Sequence, residues 1–291
     1  MQTLNSDSQV QAPILVTGAT GKTGHRVASR LEGLGFPVRR ASRSAAVAFD
    51  WHDASTWDAA LDGVEAVYLA FSPDLAVPGA STVIERFVGR AVQAGVRRIV
   101  LLSGRGEEEA EVCEGIVQAS GLTWTVVRAA WFAQNFSEGE FLPMMLDGAI
   151  ALPVRDVPEP FVDIDDLADV AVAALTQPGH AGEIYDVTGP ELLTFPAVVD
   201  ALSAAAGRPI AFVPLTREAF AEGLRAAGMP EDMVWLLDYL CTTVLDGRNA
   251  RLGDGVQRAL GRAPRSFGAY AQAAAADGVW ESPEAGAAAQ S

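Results

Sequence analysis

The sequence predicts an α/β fold: a doubly wound parallel sheet followed by a smaller, mostly helical C-terminal lobe. Three observations carry that expectation. Short β-branched runs alternate with helical stretches through the first half of the chain. A glycine-rich turn follows the first of these runs and opens a helix. From Thr194 onward, helical patterning takes over.

Ile14–Thr17 is a short apolar run bounded by glycine, as suits a strand buried on both faces. A helix is expected from about Lys22 to Leu34, a second strand at Pro37–Ala41 and a short helix at Thr56–Leu61. Ala66–Ala70 reads as the third strand. The next helix carries Val83, Ile84, Phe87, Val88, Ala91 and Val92 along one face. Arg98–Ser103 is the fourth strand, Glu109–Ser120 a helix and Thr123–Arg128 the fifth strand. Repeated strand–helix units over about 120 residues are the pattern of a doubly wound sheet.

After Arg128 the rhythm breaks. Ala129–Pro160 mixes aromatics, prolines and glycines with little periodicity, which suits a pocket wall. Ile164–Leu175 and Ile184–Val187 read as a helix and strand returning to the main sheet. Helices at Phe195–Ala206, Arg217–Ala227, Glu231–Leu245 and Ser266–Ala276 are expected to cover the open end of the sheet. The expected organisation is a sheet domain over 13–190 with a pocket-forming insertion at about 129–160, a lobe over 191–280, and flexible termini at 1–12 and 281–291.

Composition bounds the partners. Hydrophobic residues are 49% of the 291, enough to fill a substantial core. No apolar run approaches the roughly 18 residues of a membrane span, and Met1–Gln11 lacks a signal-peptide pattern. Cys113 and Cys241 lie far apart with no metal-like spacing, so no metal is expected. As small buried side chains in a reducing compartment, they point to the cytoplasm. A net charge of −16, from 37 acidic and 21 basic residues, argues against nucleic acid and anionic membranes as partners. Lys22 is the only lysine.

Thr17-Gly18-Ala19-Thr20-Gly21-Lys22-Thr23-Gly24 is the strongest local signal. Its three glycines permit a tight turn, close backbone approach to a pyrophosphate, and close helix–strand packing. The helix that follows offers unpaired N–H groups and a favourable dipole to an anion. An ATP-type P-loop is excluded, because the glycine it requires at position 16 is Val16. An NAD-preferring site places a carboxylate at the end of the second strand. Here Arg39, Arg40, Ser42 and Arg43 occupy that region, with no carboxylate until Asp50. Guanidinium groups suit a 2′-phosphate, and Ser42 and Arg43, beyond the strand end, are the better candidates. The expected cofactor is NADP(H).

Together with Thr17–Gly24, four further stretches are informative: Phe49-Asp50-Trp51-His52-Asp53, Leu102–Gly106, Trp131–Phe136, and Phe161–Ala168 with Thr188-Gly189-Pro190. Over about residues 13–215 they resemble the NmrA-like atypical short-chain dehydrogenases/reductases. The pattern is most similar to ergot-pathway reductases and bacterial secondary-metabolite relatives, including angucyclinone-type ketoreductases. The resemblance implies that Phe71 and Ser72 border the cofactor ribose. It implies that Ser103, Gly104 and Arg105 lie near the nicotinamide, with Ala129 to Phe132 closing its other side. Asp50 and Trp51 border the adenine or are structural. Asp163 and Asp166 are expected to cap the helix they precede.

The usual short-chain reductase acid is a tyrosine with a lysine four residues on. None of Tyr68, Tyr185, Tyr239 and Tyr270 has that lysine. His25, His52 and His180 read as surface residues rather than acids. Two readings remain open. One is a non-catalytic sensor of NADP(H). The other is hydride transfer to an acceptor that brings its own activation, such as a quinone, an iminium ion, or a ketone bonded to a neighbouring phenol, with the proton from solvent or substrate. Trp131, Phe132, Phe136, Phe141, Met144 and Met145, with Phe161, Trp235 and Tyr239, are candidates to wall a flat hydrophobic ligand; any one of them alone reads first as a core residue, and their concentration after the fifth strand makes the joint case. Ser103 is the one catalytic candidate, as a hydrogen-bond donor to a carbonyl oxygen, against a cofactor-only role. The reading favoured is an NADPH-dependent ketoreductase of a polycyclic aromatic metabolite in antibiotic-type biosynthesis, monomeric or dimeric.

Overall fold

A computed structural model describes residues 11–139 and 141–281; residues 1–10 and 282–291 of the expected flexible termini lie outside the described residues. The first part of the chain runs β1 (Ile14–Val16), α1 (Lys22–Gly33), β2 (Val38–Arg40), α2 (Trp57–Leu61), β3 (Ala66–Leu69), α3 (Ala80–Gln93), β4 (Arg98–Gly104), α4 (Glu108–Ala119) and β5 (Thr123–Ala129). These match the expected elements to within a residue or so at each end. After β5 come the short helices α5 (Asn135–Glu138) and α6 (Leu142–Asp147), strand β6 (Ala149–Leu152), α7 (Ile164–Thr176) and β7 (Glu183–Val187). The remainder is α8 (Phe195–Ala206), β8 (Ala211–Pro214), α9 (Arg217–Ala226), α10 (Glu231–Tyr239), α11 (Gly255–Leu260) and α12 (Phe267–Ala276). A π-helical turn, Leu240–Val244, extends α10.

The main sheet is six-stranded and parallel, in the order β2-β1-β3-β4-β5-β7. Its apolar residues alternate strictly between two cores, as the two-residue strand period requires. Leu15, Val67, Leu69, Ile99, Leu101 and Val126 face α2, α3 and α4. Ile14, Val16, Ala66, Tyr68, Val100 and Val127 face α1 and α7. Strand order reverses between β1 and β3, so a crevice opens at their carboxyl ends. Thr17 fixes that point: its hydroxyl donates to Ala70 O at 3.0 Å and accepts from Ala70 N at 2.8 Å.

A third core lies beyond the sheet, and its span in sequence differs from the expected lobe. Residues from Ala133 to Phe161 supply about a third of it, alongside α8, α9, α10 and α12. The segments are joined by a parallel two-stranded sheet of β6 and β8, in register from Ala149 opposite Ala211. Helix α11 instead returns to the first core, where Val256 packs with Ala259 and Leu260 beside it.

Carboxylates on α7 connect these parts. Arg30 of α1 pairs with Asp165 at 2.7 Å and Asp169 at 2.8 Å. Asp163 caps α7 as expected, accepting from Asp165 N at 2.9 Å. Asp166 does not cap. Its fully buried carboxylate faces the α11–α12 connection, meeting Arg262 at 2.7 Å and the Arg265 backbone N–H at 2.6 Å, with the Arg265 guanidinium also bound. The reading of His180 as a surface residue is corrected: it is buried against β7, with Nδ1 2.7 Å from the Tyr185 hydroxyl, and burial lowers its pKa.

Asp166→Ala should cost about 1.5–3 kcal/mol, the range for hydrogen bonds to a charged group, because both arginines keep partial access to water. The urea midpoint is expected to fall with an unchanged slope. An unchanged midpoint would mean that Asp169 alone carries the clamp.

Candidate functional site

A cavity of about 610 Å³ runs along the carboxyl ends of β1, β3, β4 and β5, between the sheet and α10. At one end lies the glycine turn. Gly18 has φ of 61°, and a Cβ on Gly24 would stand 2.2 Å from the Gly18 carbonyl oxygen. Loop and helix therefore touch backbone to backbone, which fixes where α1 begins. The N-cap, Gly21, supplies no side-chain cap, and the first turn carries no acidic residue. The first-turn N–H groups are thus available to an anion. Gly18, Thr20, Gly21, Lys22 and Thr23 line the cavity, whereas Gly24 serves packing. Lys22 Nζ donates to Asn135 Oδ1 at 2.6 Å, tying the turn to α5.

Beyond β2, Ser42 and Arg43 line the cavity. Arg39 is committed elsewhere, donating to Ala60 O at 2.9 Å and Asp62 O at 2.6 Å. Arg40 is held by Glu32 at 2.8 Å. Asp50 and Phe71 also line the wall; Trp51 does so from inside an aromatic cluster with Phe49, Trp57, Phe71 and Phe87. Backbone space, unsatisfied N–H groups and a nearby guanidinium together form a donor set that fits a dinucleotide phosphate.

Ser72, Ser103, Gly104, Arg105 and Ala129 border the middle of the cavity. Two of them differ in role from what the sequence suggested. The Ser103 hydroxyl donates to Glu114 Oε1 at 2.6 Å, and Glu114 is in turn gripped by Arg128. Its single proton is committed, so Ser103 is corrected from carbonyl donor to a buried link between β4 and α4. The Arg105 guanidinium is turned away, donating to Asn249 O at 2.7 Å and Arg251 O at 2.8 Å and pairing with Asp186 at 2.8 Å.

At the far end, Trp131, Phe132 and Phe141 form the apolar wall, with Trp131 stacked on Phe141 at 6.1 Å. Met233, Leu236, Leu237 and Leu240 of α10 and its extension close the opposite side. Six expected wall residues sit elsewhere. Phe136, Phe161 and Met145 are buried in the lobe core, where rings and thioether fill volume between α8 and α12, and Met144 packs on that core. Trp235 is 41% exposed and stacks on Tyr239 outside the cavity. The reason is helical phase: the face of α10 carrying 233, 236, 237 and 240 turns inward, leaving 235 and 239 beside it.

Sequence reasoning missed three carboxyls in the wall: Asp74, Glu107 and Glu159. The first two stand just past β3 and β4, where the carboxyl-end rule applies and where the reading stopped at Ser72 and Arg105. Glu159 is 2% exposed; one oxygen accepts from Trp131 N at 3.4 Å and the other has no partner. Among the described residues, no group of three or more His, Cys, Asp or Glu could hold a metal, and no helix is long and apolar enough to cross a membrane. Cys113 and Cys241 are buried free thiols, both pushed up to about 12 by burial.

Burial pushes Glu159 up from 4.5 to about 7, opposed by the Trp131 N–H and Arg105 and reinforced by Asp186. The folded chain therefore holds this proton more tightly than the unfolded chain. Its stabilising contribution is complete below pH 4.5, declines toward pH 7 and is lost above, a change of up to about 3 kcal/mol. Glu159→Gln should flatten that decline and exceed the wild type in urea resistance above pH 7. A wild-type-to-variant difference that stays constant with pH would reject the shift.

Residues 18–178 match the model of an NAD(P)H-binding family. Agroclavine dehydrogenase of Claviceps fusiformis is 34% identical over 277 residues, covering 87% of this chain and 94% of that protein. NAD(P)H azoreductase of Xenophilus azovorans is 32% identical over 292 residues, covering 90% and 98% respectively. The NADPH-dependent quinone oxidoreductase of Escherichia coli, solved with NADPH, has the same fold at a TM-score of 0.76 and 21% identity, covering 89% of this chain and 99% of that one. The chain is an NAD(P)H-binding oxidoreductase of the NmrA-like atypical short-chain dehydrogenase/reductase family.

Proposed function

We propose that the protein is an NADPH-dependent reductase of a carbonyl group on a flat, polycyclic aromatic secondary metabolite. The observation that carries this reading is one continuous cavity with a phosphate-binding turn at one end and an apolar aromatic wall at the other. When bound there, the dinucleotide would supply a hydride. The relatives are named for agroclavine and for azo reduction, so the scaffold serves more than one acceptor.

The roles of the chain's own residues follow from position. The Gly18–Thr23 turn and the start of α1 would hold the pyrophosphate. Ser42 and Arg43 would hold a 2′-phosphate, since Arg39 and Arg40 are spent on Ala60, Asp62 and Glu32. Trp131, Phe132 and Phe141 would orient a planar acceptor by stacking, and Met233, Leu236 and Leu237 would exclude water from its other face. Phe136, Phe161, Met144, Met145, Trp235 and Tyr239 have no part in this reading.

NADPH oxidation measured against a panel of aromatic ketones and quinones tests the function. Turnover of quinones alone would transfer the assignment to quinone reduction, and tight NADPH binding with no turnover would return it to a dinucleotide sensor. Arg43→Ala should weaken NADPH binding by about 10- to 100-fold and NADH binding by little, the loss of one charge-assisted contact. Equal losses for both cofactors would remove the 2′-phosphate assignment.

A further inference from the structure

The chain has no Tyr–Lys acid pair, and Ser103 has no proton to spare, yet reduction of a ketone needs a proton on oxygen. Two carboxyls in the cavity wall meet that need. Glu107 stands at the N-cap position of α4, but its side chain caps nothing there. It folds back under β4, where the missing side chain of Gly104 makes room: a Cβ on Gly104 would lie 2.0 Å from the Glu107 carboxyl. Glu107 is 6% exposed, and its Oε2 has no donor within reach. Its carboxyl lies beside that of Asp74, which lines the same wall. Two ionised carboxylates side by side repel each other, whereas one proton between them turns the pair into donor and acceptor.

We infer that Asp74 and Glu107 hold one shared proton at neutral pH and act together as the acid that protonates the reduced carbonyl, Asp74 facing the cavity and Glu107 storing the proton behind it. The inference rests on the reductase reading above. Asp74 is only half-buried and lines the cavity, with one oxygen fixed by the Ala76 N–H at 2.8 Å. Hydride arrival at the carbonyl carbon sends the C=O π pair to oxygen; the shared proton bonds to that oxygen, and solvent restores the pair through Asp74. The surroundings hold the proton in place. Burial and the Asp74 charge raise Glu107 well above the ordinary range, Glu114 of α4 raises it further, and Asp74 is raised by burial. Facing groups on neighbouring elements do not offset this: Tyr239 and Cys113 are themselves raised, and Arg248 is taken by Asp246 at 2.9 Å. A second observation marks the same wall as built for a polar ligand. Glu159 Oε2 and Trp131 Nε1 are both buried there without partners.

Glu107→Gln and Asp74→Asn test the inference, since either amide can still donate to the remaining carboxylate and keep the local packing. Three quantities are read: the infrared carbonyl stretch of a protonated carboxyl in light and heavy water, the NADPH Kd, and kcat on an aromatic ketone across pH. The wild-type-minus-variant difference spectrum should show a deuterium-sensitive protonated-carboxyl band at neutral pH for each variant, the contribution of Glu159 cancelling. kcat should fall about 100-fold or more in each variant and lose its alkaline decline, with Kd for NADPH within about twofold. Absence of that difference band, or full kcat in both variants, would overturn the inference. A wild type that shows the band and binds NADPH but reduces no ketone defeats the ketoreductase reading, and the donor role falls with it.

Discussion

The contact between the Gly24 position and the Gly18 carbonyl decides where α1 starts, and most of the site is referred to that start. Because nothing larger than hydrogen fits between them, the loop lies flat on the helix end, and the first-turn N–H groups point into the crevice. The same helix is held from behind. Arg30 pairs with Asp165 and Asp169 on α7, while Lys22 reaches across to Asn135. Asp166, one residue along, grips Arg262 and Arg265 from the connection into α12. Glycine turn, sheet and lobe are thus positioned through one pair of packed helices.

Much of this architecture was legible because it rests on local patterns. The alternation of apolar residues in β1, β3, β4 and β5 follows from strand period alone, and the glycine turn declares itself by its place between a strand and a helix. The lobe was less legible. β6 and β8 are each short and pair across about sixty residues of chain, so no local window contains their partner. The aromatics after β5 illustrate the same limit. Trp131 and Phe132 follow a strand directly and inherit its direction, but Phe136 and Phe161 owe their burial to α8 and α12, far along the sequence.

The site chemistry was hidden for a different reason. A hydroxyl is a donor or a spent donor according to what sits opposite it, and Ser103 is spent on Glu114, eleven positions along in sequence but across a strand–helix contact in space. The groups at the end of β2 were more legible. Ser42 and Arg43 stand beyond the strand end in sequence, and Arg39 and Arg40, held by partners of their own, leave those two facing the cavity.

A chain with one lysine also constrains how acidity can be arranged. The usual device sets a cation beside a phenol to bring its pKa down. Tyr68 and Tyr270 instead lie in apolar surroundings that push both phenols higher, out of use at neutral pH. Desolvation has the opposite value for a carboxyl, because raising its pKa brings the acid toward neutrality, where proton transfer is most effective. Burial that disqualifies a tyrosine therefore qualifies a glutamate. In a strongly acidic protein whose lysine is already bound to Asn135 at the glycine turn, paired or buried carboxyls are the natural place to keep a proton, and the cavity wall holds three of them.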